Sequence, residues 1–528
     1  RSDWQEVQAL VTDLQKQGKD DAAIAAVRDF HHRLCTTRVL DPACGTGNFL
    51  YVSLELMKRL EGEILETLEA LGDDEARLLL DGETVNPRQF YGLEINPRAV
   101  PIADLVLWIG FLKWQLRTVE VKDLPEPILH AYGTIKHQDA LIAYDSMEML
   151  RDADGTPLSR WDGETMKRHP ITGEEVPDPD ATMELYRYVN PRRAEWPQVE
   201  FIVGNPPFIG GKDMRAELGD GYAEAAWKVR EGVPGGADFV MHFWDEAATR
   251  LLAKPPKGAQ GENPLRRFGF ITTNSITQTF SRRVVERHMN AKLPLSLVYA
   301  IPDHPWLKAS DKAAVRIAMT VAVRGERQGK LAEVVRESGL NSDTPEVKLE
   351  TDEGKITSAL RIGADLSKLS ELISNEGLAH MGVKLHGAGF IIDSQDQSKF
   401  PDSPLIKKFV NGRDIAQRSR GASVIDLYGL TDIEIQRDHP QIYQRVLEQV
   451  KPERDQNNRE IYRKKWWIWG EPRSEWREAI ADLDFFFATA RTARHRLFLT
   501  LPNDITIESK VVGLAIEGSA NLAILSST

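Results

Sequence analysis

The alternation of short and long apolar segments predicts an α/β fold for the first part of this chain. Short apolar runs with the length of buried strands occupy residues 38–40, 89–95, 134–137, 201–203 and 267–272. Longer segments with apolar residues at helical spacing occupy residues 49–71, 99–117 and 237–252. Strands that alternate with helices in this way typically form a parallel sheet covered by helices on both faces.

Three further patterns surround this core. Residues 3–34 have helical apolar spacing and predict two helices ahead of the first strand, which we interpret as a covering layer. Residues 295–301 and 314–323 alternate apolar and polar positions and predict an antiparallel hairpin that closes the sheet. Beyond residue 325, short alternating stretches, turns and charged loops predict a linker and the start of another domain.

A glycine turn follows the first predicted strand, in the sequence Asp-Pro-Ala-Cys-Gly-Thr-Gly-Asn-Phe that begins at Asp41. Gly45 and Gly47 let the backbone approach a ligand closely, and a helix that starts after such a turn presents free N–H groups. The Asp41 carboxylate can accept a hydrogen bond from a ligand amine. Cys44 lies inside the turn, where a small side chain suffices. A Gly-x-Gly turn alone is weak support for a ligand site.

The predicted strand at residues 201–203 runs into Asn205-Pro206-Pro207-Phe208. Two prolines can neither donate to a sheet nor start a helix freely, so the chain leaves the sheet as a stiff, extended loop. This stiffness fixes the Asn205 amide, the Pro206 carbonyl and the Phe208 ring at the end of the sheet where open α/β folds bind ligands. Two acceptors beside a flat ring suit a planar amine. The alternative interpretation is an ordinary strand that ends in prolines, with Phe208 in the core.

Carboxylates follow two more of the predicted strands. Glu94 ends the second strand, where a carboxylate can bind both ribose hydroxyls of a nucleoside cofactor. In dinucleotide-binding folds this acid lies roughly 20 residues past the glycines, and its later position here disfavours a nicotinamide cofactor. Asp139 follows the third strand and can accept a hydrogen bond from an adenine amino group. An isolated surface aspartate would have the same sequence context.

Together, the glycine turn and the Asn-Pro-Pro-Phe loop make this sequence resemble the gamma-class N6-adenine DNA methyltransferases, which use S-adenosylmethionine. Residues 409–415 look like the junction into the specificity domain of single-chain restriction-modification methyltransferases. Similar enzymes are the type IIL and type IIG enzymes and the methylases of the BREX and DISARM phage-defence systems. The resemblance implies a class I methyltransferase fold, with a Rossmann-like seven-stranded sheet, followed by an α+β target-recognition domain.

The resemblance also implies roles for individual residues. The target adenine would leave the duplex and stack on Phe208. In the family an aromatic residue near the closing hairpin lines the flipped-base pocket, and Trp306 is the candidate here, with a packing tryptophan as the alternative. The implied catalytic residues are Asn205, Pro206, Pro207 and Phe208, and the implied cofactor-binding residues are Asp41, Ala43, Gly45, Gly47, Asn48, Phe49, Glu94, Ile95, Asp139 and Ala140. No metal is implied.

The composition of the chain excludes several classes of protein. The chain has 528 residues, of which 41% are hydrophobic and 28% charged, as is ordinary for a soluble multi-domain protein. It contains no run of about 18 uncharged apolar residues and opens with no signal peptide, so we predict a cytoplasmic protein without a membrane partner. Its two cysteines, Cys35 and Cys44, exclude a disulfide framework and a cysteine zinc site. The formal charge of −12 counts mildly against DNA, although a local basic surface determines DNA affinity.

Basic residues concentrate in three stretches of the second half, one of them beside tryptophans. These residues are Lys407, Lys408, Arg413, Arg418 and Arg420; Lys451, Arg454, Arg459, Arg463, Lys464 and Lys465, followed by Trp466, Trp467 and Trp469; and Arg491, Arg494 and Arg496. Basic clusters beside aromatic rings can bind phosphates and fill grooves, although a solvated helix face has the same composition. We select Arg413, Arg463, Lys464 and Lys465 as candidate contacts to double-stranded DNA.

These observations divide the chain into four parts. We predict an N-terminal helical segment at 1–34, a methyltransferase domain at 35–325, a linker and the start of a second domain at 326–404, and a DNA target-recognition region at 405–528. In the family a Thr-Pro-containing cofactor motif precedes the first strand, and a nuclease domain can lie further upstream. Residues 1–34 contain neither, so either a segment is missing from this chain or cofactor binding is incomplete.

The implied function is site-specific methylation of adenine N6 in duplex DNA, in restriction-modification or phage defence, with other defence proteins as candidate partners. Glutamine methylation in proteins uses the same Asn-Pro-Pro-aromatic sequence, but those enzymes are compact. An RNA adenine methyltransferase and a cofactor-binding recognition subunit without turnover remain as alternatives. Two Glu-x-Lys fragments, at Glu346 and Glu508, lack a metal-binding aspartate on a preceding core strand, so we reject a nuclease site within this chain.

Overall fold

The structure is a computed structural model, and it forms two compact units, Arg1–Asp365 and Leu366–Thr528. It describes residues 2–73, 83–118, 132–162, 165–168, 175–178, 180–254, 263–306, 315–340, 345–363, 372–393, 400, 403–455, 457, 459–493 and 496–527. Each unit has its own buried hydrophobic clusters.

The first unit contains both predicted kinds of element. Its strands are β1 Val39–Asp41, β2 Phe90–Glu94, β3 Ile135–His137, β4 Ile142–Ala143, β5 Ser146–Met149, β6 Ser159–Trp161, β7 Met166–Arg168, β8 Glu175–Pro177, β9 Thr182–Glu184, β10 Tyr186–Val189, β11 Arg192–Arg193, β12 Phe201–Gly204, β13 Arg267–Thr273, β14 Leu295–Pro305, β15 Arg316–Arg324, β16 Gly329–Ser338 and β17 Glu346–Gly354. Its helices are α1 Ser2–Lys16, α2 Asp20–Thr36, α3 Asn48–Ala70, α4 Ala99–Thr118, α5 Met214–Leu218, α6 Asp220–Val229, α7 Val240–Leu252 and α8 Thr279–Met289. The two helices predicted ahead of the first strand are α1 and α2.

A nine-stranded mixed sheet forms the centre of this unit, in the order β17-β16-β14-β15-β13-β12-β1-β2-β3. Neighbours from β13 through β3 are parallel, whereas β15 is antiparallel to both β13 and β14. The predicted closing hairpin is thus confirmed as β14 and β15, with its connecting residues 307–314 outside the described residues.

The sheet is larger than predicted, and it includes residues predicted as part of a linker. We expected seven strands and a linker that begins at residue 326. Instead β16 pairs parallel with β14, and β17 pairs antiparallel with β16, so the sheet extends by two strands. Buried apolar side chains on β16, such as Leu331 and Ala332, hold these residues in the first unit. The boundary between the units falls at residues 365 and 366.

Both faces of the sheet are buried. Successive side chains of a strand point to opposite faces, so neighbouring residues of one strand belong to different hydrophobic clusters. In β1, Val39 belongs to the hydrophobic cluster that contains residues of α1 to α4, whereas Leu40 belongs to the cluster that contains residues of α6, α7 and α8. Both side chains are at most 4% exposed. Strands buried on both faces are apolar throughout, and this explains why short apolar runs predicted them correctly.

Helix α4 is unusually apolar. Among the helices of the described residues, Ala99–Arg117 is the one whose length and composition would allow it to cross a membrane, and 28% of that window is buried. It contains Asp104 and Lys113, and for this reason a search for uncharged runs did not find it. Ala103 and Leu107 are fully buried in the core, so the helix serves as one layer over the sheet.

Between β3 and β12 the chain leaves the sheet and returns. The pairs β5 with β10, β6 with β9 and β7 with β8 are all antiparallel and nested along the chain. They form a two-stranded ribbon, and β4 pairs with β11 at its base. The ribbon therefore starts and ends beside the residues that follow β3.

The second unit is α+β. Its strands are β18 Ala379–Met381, β19 Ile391–Ile392, β20 Ile406–Val410, β21 Ser423–Ile425, β22 Phe485–Ala490, β23 Leu499–Pro502, β24 Thr506–Ile507 and β25 Val511–Leu514. Its helices are α9 Gly412–Ala416, α10 Asp432–Asp438, α11 Pro440–Gln449, α12 Lys451–Asp455, α13 Glu460–Lys464, α14 Ser474–Ala479 and α15 Ser519–Ser526. The strands form two four-stranded sheets, β18-β25-β22-β23 and β19-β21-β20-β24.

Candidate functional site

Polar residues of distant parts of the chain meet at one edge of the first unit's sheet. Because β1, β2, β3, β12 and β13 are parallel neighbours, their carboxyl ends lie along the same edge. Asp41 and Glu94 end β1 and β2, Asp139 follows β3, Asn205 follows β12 and Thr273 ends β13. Open α/β sheets bind ligands at this edge. The order of the strands places the glycine turn and the Asn-Pro-Pro-Phe loop next to each other.

The glycine turn is tied directly to Glu94. The backbone N–H of Gly45 donates to Glu94 Oε2 at 2.8 Å, and the Asn96 N–H donates to Oε1 at 2.8 Å. Gly45 has a φ of +52°, and a Cβ built on it would meet no atom within 4 Å. Gly47 has a φ of +85°, and a Cβ built on it would lie 3.2 Å from Ala103. The turn therefore leaves open space at Gly45, on the side where a ligand could approach the backbone.

Asp41 is a buried carboxylate at the centre of the site. It is 1% exposed and accepts a hydrogen bond from the Ala43 N–H at 3.0 Å. A Cβ on Gly204, the last residue of β12, would lie 2.7 Å from Asp41 Oδ1, so only glycine fits beside this carboxylate. Burial and the nearby Glu94 charge raise the pKa of Asp41 to about 7. A cationic ligand group would favour its charged form.

Cys44 has a structural position in the turn. A Cβ on Gly92 of β2 would lie 2.7 Å from the Cys44 sulfur, so the glycine makes room for the thiol. Burial, followed by the Asp41 and Glu94 charges, raises the pKa of the thiol. Such a thiol stays protonated and is a poor nucleophile.

The Asn-Pro-Pro-Phe loop carries an unsatisfied acceptor. Asn205 Oδ1 is buried and has no hydrogen-bond partner in the described part of the chain. Pro206 is buried, whereas Pro207 is exposed. A buried amide oxygen without a donor costs free energy of about 1–3 kcal/mol. Such an atom in a stiff loop marks a place where a ligand donor would be stabilised.

Phe208 and Trp306 come together at this loop. Their ring centroids are 6.2 Å apart and the ring planes are nearly perpendicular, at 84°. The residues are far apart in sequence and meet because β14, which ends at Pro305, carries Trp306 to the same edge of the sheet. Both rings are half-buried, so each retains accessible surface beside Asn205.

A second segment, at Asp238 and Phe239, contacts the loop. The sequence predicted these residues as part of a helix and did not predict this contact. The Phe239 N–H donates to the Ile209 carbonyl at 2.8 Å, directly after Phe208. The carboxylate of the adjacent Asp238 accepts hydrogen bonds from the hydroxyls of Thr273, at 2.9 Å, and of Ser275. Thr273 and Ser275 follow the fifth predicted strand, and the sequence predicts polar groups there at the ligand-binding edge. The role of Asp238, which lies before α7, was not predicted, and the preceding glycines Gly235 and Gly236 are the sequence signal beside it.

The remaining predicted cofactor residues also lie at this edge. Asn48 and Phe49 begin α3 directly after the turn, Ala43 lies within the turn, and Ile95 is 65% exposed beside Glu94. Asp139 and Ala140 follow β3, and both are fixed by hydrogen bonds from other parts of the chain: Tyr222 donates to Asp139, and Trp196 donates to the Ala140 carbonyl. The structure thus brings the predicted cofactor residues together with the predicted catalytic loop.

The predicted DNA contacts lie in the second unit and have different surroundings. Arg413 and Lys465 are exposed. Arg463 is exposed but donates to the Asn457 carbonyl, and Lys464 forms an ion pair with Glu460 at 2.7 Å. Arg494, from the third basic stretch, lies outside the described residues.

The aromatic residues near these cations were misread. Trp466 and Trp469 are 6% and 4% exposed and belong to a hydrophobic core of the second unit. Arg454 is 1% exposed and donates to the carbonyls of Leu385 and Ile468. These side chains stabilise the fold and cannot bind phosphate. Composition alone does not distinguish a basic surface from a buried cation beside tryptophans.

One cluster in the described residues has side chains that could hold a metal ion. His31, Cys35 and Glu61 are all buried, and their ligand atoms lie within 4.8 Å of one another. However, Lys58 donates to Glu61 Oε2 at 2.8 Å. Burial raises the pKa of Glu61, but hydrogen bonds from His31 and Lys58 outweigh it and lower the pKa to about 2. The Lys58 ammonium already neutralises this carboxylate, so the cluster is complete as an ion-pair network.

Comparison with known proteins identifies the family. The sequence model of the family described as "MmeI, DNA-methyltransferase domain" matches residues 14–333. This range is more than half of the chain and includes the glycine turn, Glu94, Asp139, the Asn-Pro-Pro-Phe loop and Trp306. It ends within β16.

Two curated relatives match about half of the chain. DNA methyltransferase A of Bacillus subtilis (strain 168) is 25% identical over 296 residues, which are 54% of this chain and 26% of that protein. The adenine-specific methyltransferase PglX of Streptomyces coelicolor is 26% identical over 286 residues, which are 52% of this chain and 20% of that protein. The chain therefore spans about a quarter or less of either relative.

A solved structure matches nearly the whole chain. It is that of the type IIL restriction-modification enzyme MmeI in complex with DNA, with a TM-score of 0.64 and 17% identity. The match covers 98% of this chain and 63% of that one. At this identity the likeness shows a shared fold. The α/β prediction is confirmed in its coarse form.

Proposed function

Because this chain belongs to the MmeI DNA-methyltransferase family, we propose that it transfers a methyl group from S-adenosylmethionine to N6 of an adenine in duplex DNA. The observation that supports this most is the position of the buried, unpartnered Asn205 Oδ1 at the same sheet edge as the glycine turn. The relative PglX is named as an adenine-specific methyltransferase, which favours adenine as the target. The seven strands from β14 through β3 would be the methyltransferase core, with β16 and β17 as an extension.

The residues around the glycine turn suit S-adenosylmethionine. Asp41 would accept from the ammonium of its methionine part, because a buried carboxylate with a raised pKa gains most from a nearby cation. Glu94 already orients the turn through Gly45 and keeps lone pairs for the ribose hydroxyls. Ile95, exposed beside it, offers an apolar surface for the adenine ring. The open space at Gly45 leaves room for the ligand next to the backbone.

The Asn-Pro-Pro-Phe loop would supply the chemistry on the target base. The exocyclic amine of adenine is a poor nucleophile, because its lone pair is conjugated into the ring. If Asn205 Oδ1 and the Pro206 carbonyl accept its two protons, the nitrogen becomes more tetrahedral and its lone pair points away from the ring. Bound S-adenosylmethionine supplies an electrophilic methyl on its sulfonium. Placement and electrostatics would then provide the acceleration. The nitrogen–carbon bond would form as the sulfur–methyl bond breaks, S-adenosylhomocysteine would be the leaving group, and the amine proton would pass from the Asn205 or Pro206 oxygen to water.

Phe208 and Trp306 would hold the adenine outside the duplex. A paired base is inaccessible, so enzymes that modify the amine extrude the nucleotide and stack it against aromatic side chains. The perpendicular arrangement of the two rings presents a face and an edge to a base placed between them. Trp306 is therefore proposed as a substrate contact, in addition to its packing against Phe208.

We assign DNA binding beyond the active site to the second unit, with Arg413, Arg463, Lys464 and Lys465 as proposed phosphate contacts. This unit, from residue 366 onwards, would include the target-recognition region predicted at 405–528. A role in restriction-modification or phage defence, partner proteins of such a system and a cytoplasmic location are part of the same proposal.

A transfer assay tests this function directly. Methyl-labelled S-adenosylmethionine would be incubated with the protein and with unmethylated duplex DNA, RNA or release-factor protein. We expect label in duplex DNA, and N6-methyladenine after digestion of the product. Label in RNA alone would move the function to RNA methylation. Tight cofactor and DNA binding without label in any substrate would instead identify a recognition subunit.

A further inference from the structure

Three side chains from distant parts of the chain hold the short loop after β3. Tyr222 of α6 donates its hydroxyl to Asp139 Oδ2 at 2.8 Å, across 83 residues of sequence. Trp196 donates its indole N–H to the Ala140 carbonyl at 2.6 Å. Arg230 donates to the Leu141 carbonyl at 2.8 Å. Each residue of the loop therefore has its own donor.

The Arg230 contact shows how firmly the loop is held. Its side chain is fully buried and forms an ion pair with Glu246 at 2.9 Å. Burying a charged pair carries a desolvation cost, which is offset only when the geometry is good and the remaining donors are used. One of those donors is directed at the Leu141 carbonyl. A structural ion pair thus fixes the backbone next to Asp139.

The hydrogen bonds to Asp139 leave it little acceptor capacity. Its Oδ1 accepts from the Leu141 N–H at 2.7 Å and from the Ile142 N–H at 2.9 Å. A carboxylate has about four lone-pair directions. With two used on Oδ1 and one on Oδ2 by Tyr222, one direction on Oδ2 remains for a further donor.

We propose that Tyr222 is a positioning residue for adenine recognition: by occupying one lone pair of Asp139 Oδ2, it leaves a single direction in which the carboxylate can accept the exocyclic amine of the cofactor. This inference rests on the proposed function and on the role predicted for Asp139 from the sequence, in which its carboxylate accepts from the adenine amine of S-adenosylmethionine. It adds a selectivity for the 6-amino group, set by a residue of α6, the second helix after the catalytic loop.

Tyr222 is well suited to this role. Burial and the Asp139 charge raise its pKa, so the hydroxyl remains a proton donor over the working pH range. Its ring makes edge contacts with Tyr188, at 5.9 Å, and with Phe239, at 6.1 Å. These contacts restrict rotation of the ring, so the hydroxyl keeps its direction. Phe239 in turn holds the Ile209 carbonyl, and this connects the adenine loop with the catalytic loop.

The test compares two cofactor products that differ at position 6 of the purine. S-adenosylhomocysteine has the amine, and S-inosylhomocysteine has a carbonyl that cannot donate. Their dissociation constants would be measured by calorimetry with the full chain. We expect wild type to prefer the amine by about tenfold or more, because a hydrogen bond to a charged, half-buried acceptor contributes about that factor. In Tyr222→Phe this preference should fall to about threefold or less.

A matched control comes from the neighbouring ring. Tyr188→Phe removes a hydroxyl from the same aromatic row, and in the described part of the chain the side-chain donor to Asp139 is Tyr222. This variant should keep the wild-type preference. The ratio of two dissociation constants is insensitive to a uniform loss of affinity, so a general loosening of the fold would not imitate the effect.

Each outcome decides the inference. If Tyr222→Phe keeps the wild-type ratio, or if wild type binds both compounds equally, Tyr222 does not direct adenine recognition, although cofactor binding stands. If wild type binds neither compound, the proposed function fails as well. Should Tyr222→Phe not fold, a protein with 3-fluorotyrosine at this position keeps the ring and has a more acidic hydroxyl. Its preference should be at least that of wild type, and a fall would overturn the inference.

Discussion

The edge of the first unit's sheet and the basic stretches of the second unit both contain clustered polar residues, but they use them differently. At the sheet edge, Asn205 Oδ1 is buried without a partner and Asp41 is buried with a raised pKa. In the second unit, Arg454 Nη2 donates to two backbone carbonyls while its Nε and Nη1 have no partner in the described residues, and Lys464 is paired with Glu460. Asn205 shares its sheet edge with the open space at Gly45, whereas Arg454 is 1% exposed, so an unsatisfied group points to a ligand only where a ligand can reach it.

The comparison also explains why the residues predicted at the sheet edge lie together, whereas the predicted DNA contacts have different surroundings. The sheet-edge residues belong to short motifs whose backbone is restricted, by prolines at the loop and by positive φ at Gly45 and Gly47. Such restrictions act locally and so can be recognised in sequence. Exposure of an arginine depends on what packs over it, and the cluster around Trp466 was predicted from composition alone.

The largest effect is expected from Asn205→Ala. Losing a preorganised polar group at a reacting centre typically lowers kcat by about 10²–10³-fold. Because Asn205 would contact the target amine and not the cofactor, affinity for S-adenosylmethionine should stay within a few-fold of wild type. Single-turnover methyl transfer and calorimetry measure the two quantities. Methylation at the wild-type rate would refute the proposed role of the loop.

In the second unit, Arg454→Met should lower stability and leave the salt dependence of DNA binding unchanged. The substitution leaves the Ile468 carbonyl without the Arg454 donor, at a cost of about 1–3 kcal/mol for a buried polar group, whereas the Leu385 carbonyl keeps its hydrogen bond from the Gly470 N–H. Denaturant unfolding measures the change. If instead the unfolding curve is unaltered while DNA affinity falls, Arg454 is a phosphate contact and its burial has been misinterpreted.

The raised pKa of Asp41 predicts a pH dependence of cofactor binding. Below about pH 7 the carboxyl is protonated in the free protein, and a ligand ammonium would require that proton to leave. Affinity should therefore fall by about tenfold per pH unit as the pH drops below 7. The stability of the free protein depends on pH in the opposite direction. The raised pKa of Asp41 favours the folded state at low pH, and this contribution to the free energy of unfolding is lost as the pH rises from about 4 through 7.

Calorimetry in two buffers with different ionisation enthalpies measures the proton released, and thermal unfolding measures the stability of the free protein. Asp41→Asn is the control, since it keeps the size of the side chain and removes the titration. A cofactor affinity that is constant between pH 5 and 7 in wild type would show that Asp41 does not accept the ammonium.

The smallest effect concerns the exposed cations. Each lost phosphate contact should reduce the slope of log affinity against log salt by about 0.9. Replacing Arg463, Lys464 and Lys465 together by alanine should lower the slope, and Lys465→Ala should account for most of the loss. The reason is that Arg463 and Lys464 already have partners within the unit. An unchanged slope in the triple variant would place the DNA path elsewhere.

The sequence was sufficient for the elements whose cause is local. Strands buried on both faces are apolar throughout, so β1, β2, β12 and β13 were predicted close to their observed ends. The extension of the sheet was not predicted, because β16 and β17 alternate charged and apolar residues and resemble surface loops. The pairing of β16 with β14 joins Tyr299 to Lys330, which are 31 positions apart, and β17 pairs with β16. A local sequence pattern does not predict such a contact.

Some features of the site are likewise properties of the sequence, and others depend on packing. Proline stiffness, glycine conformations and the residue types of Asp41, Glu94 and Asn205 are properties of the chain, and they were enough to identify the candidate chemistry. That Asn205 Oδ1 has no partner, that Tyr222 restricts Asp139 and that Trp306 meets Phe208 depend on packing between elements distant in sequence. Burial and pairing are set by the folded surroundings of a side chain, and only the tertiary structure determines them.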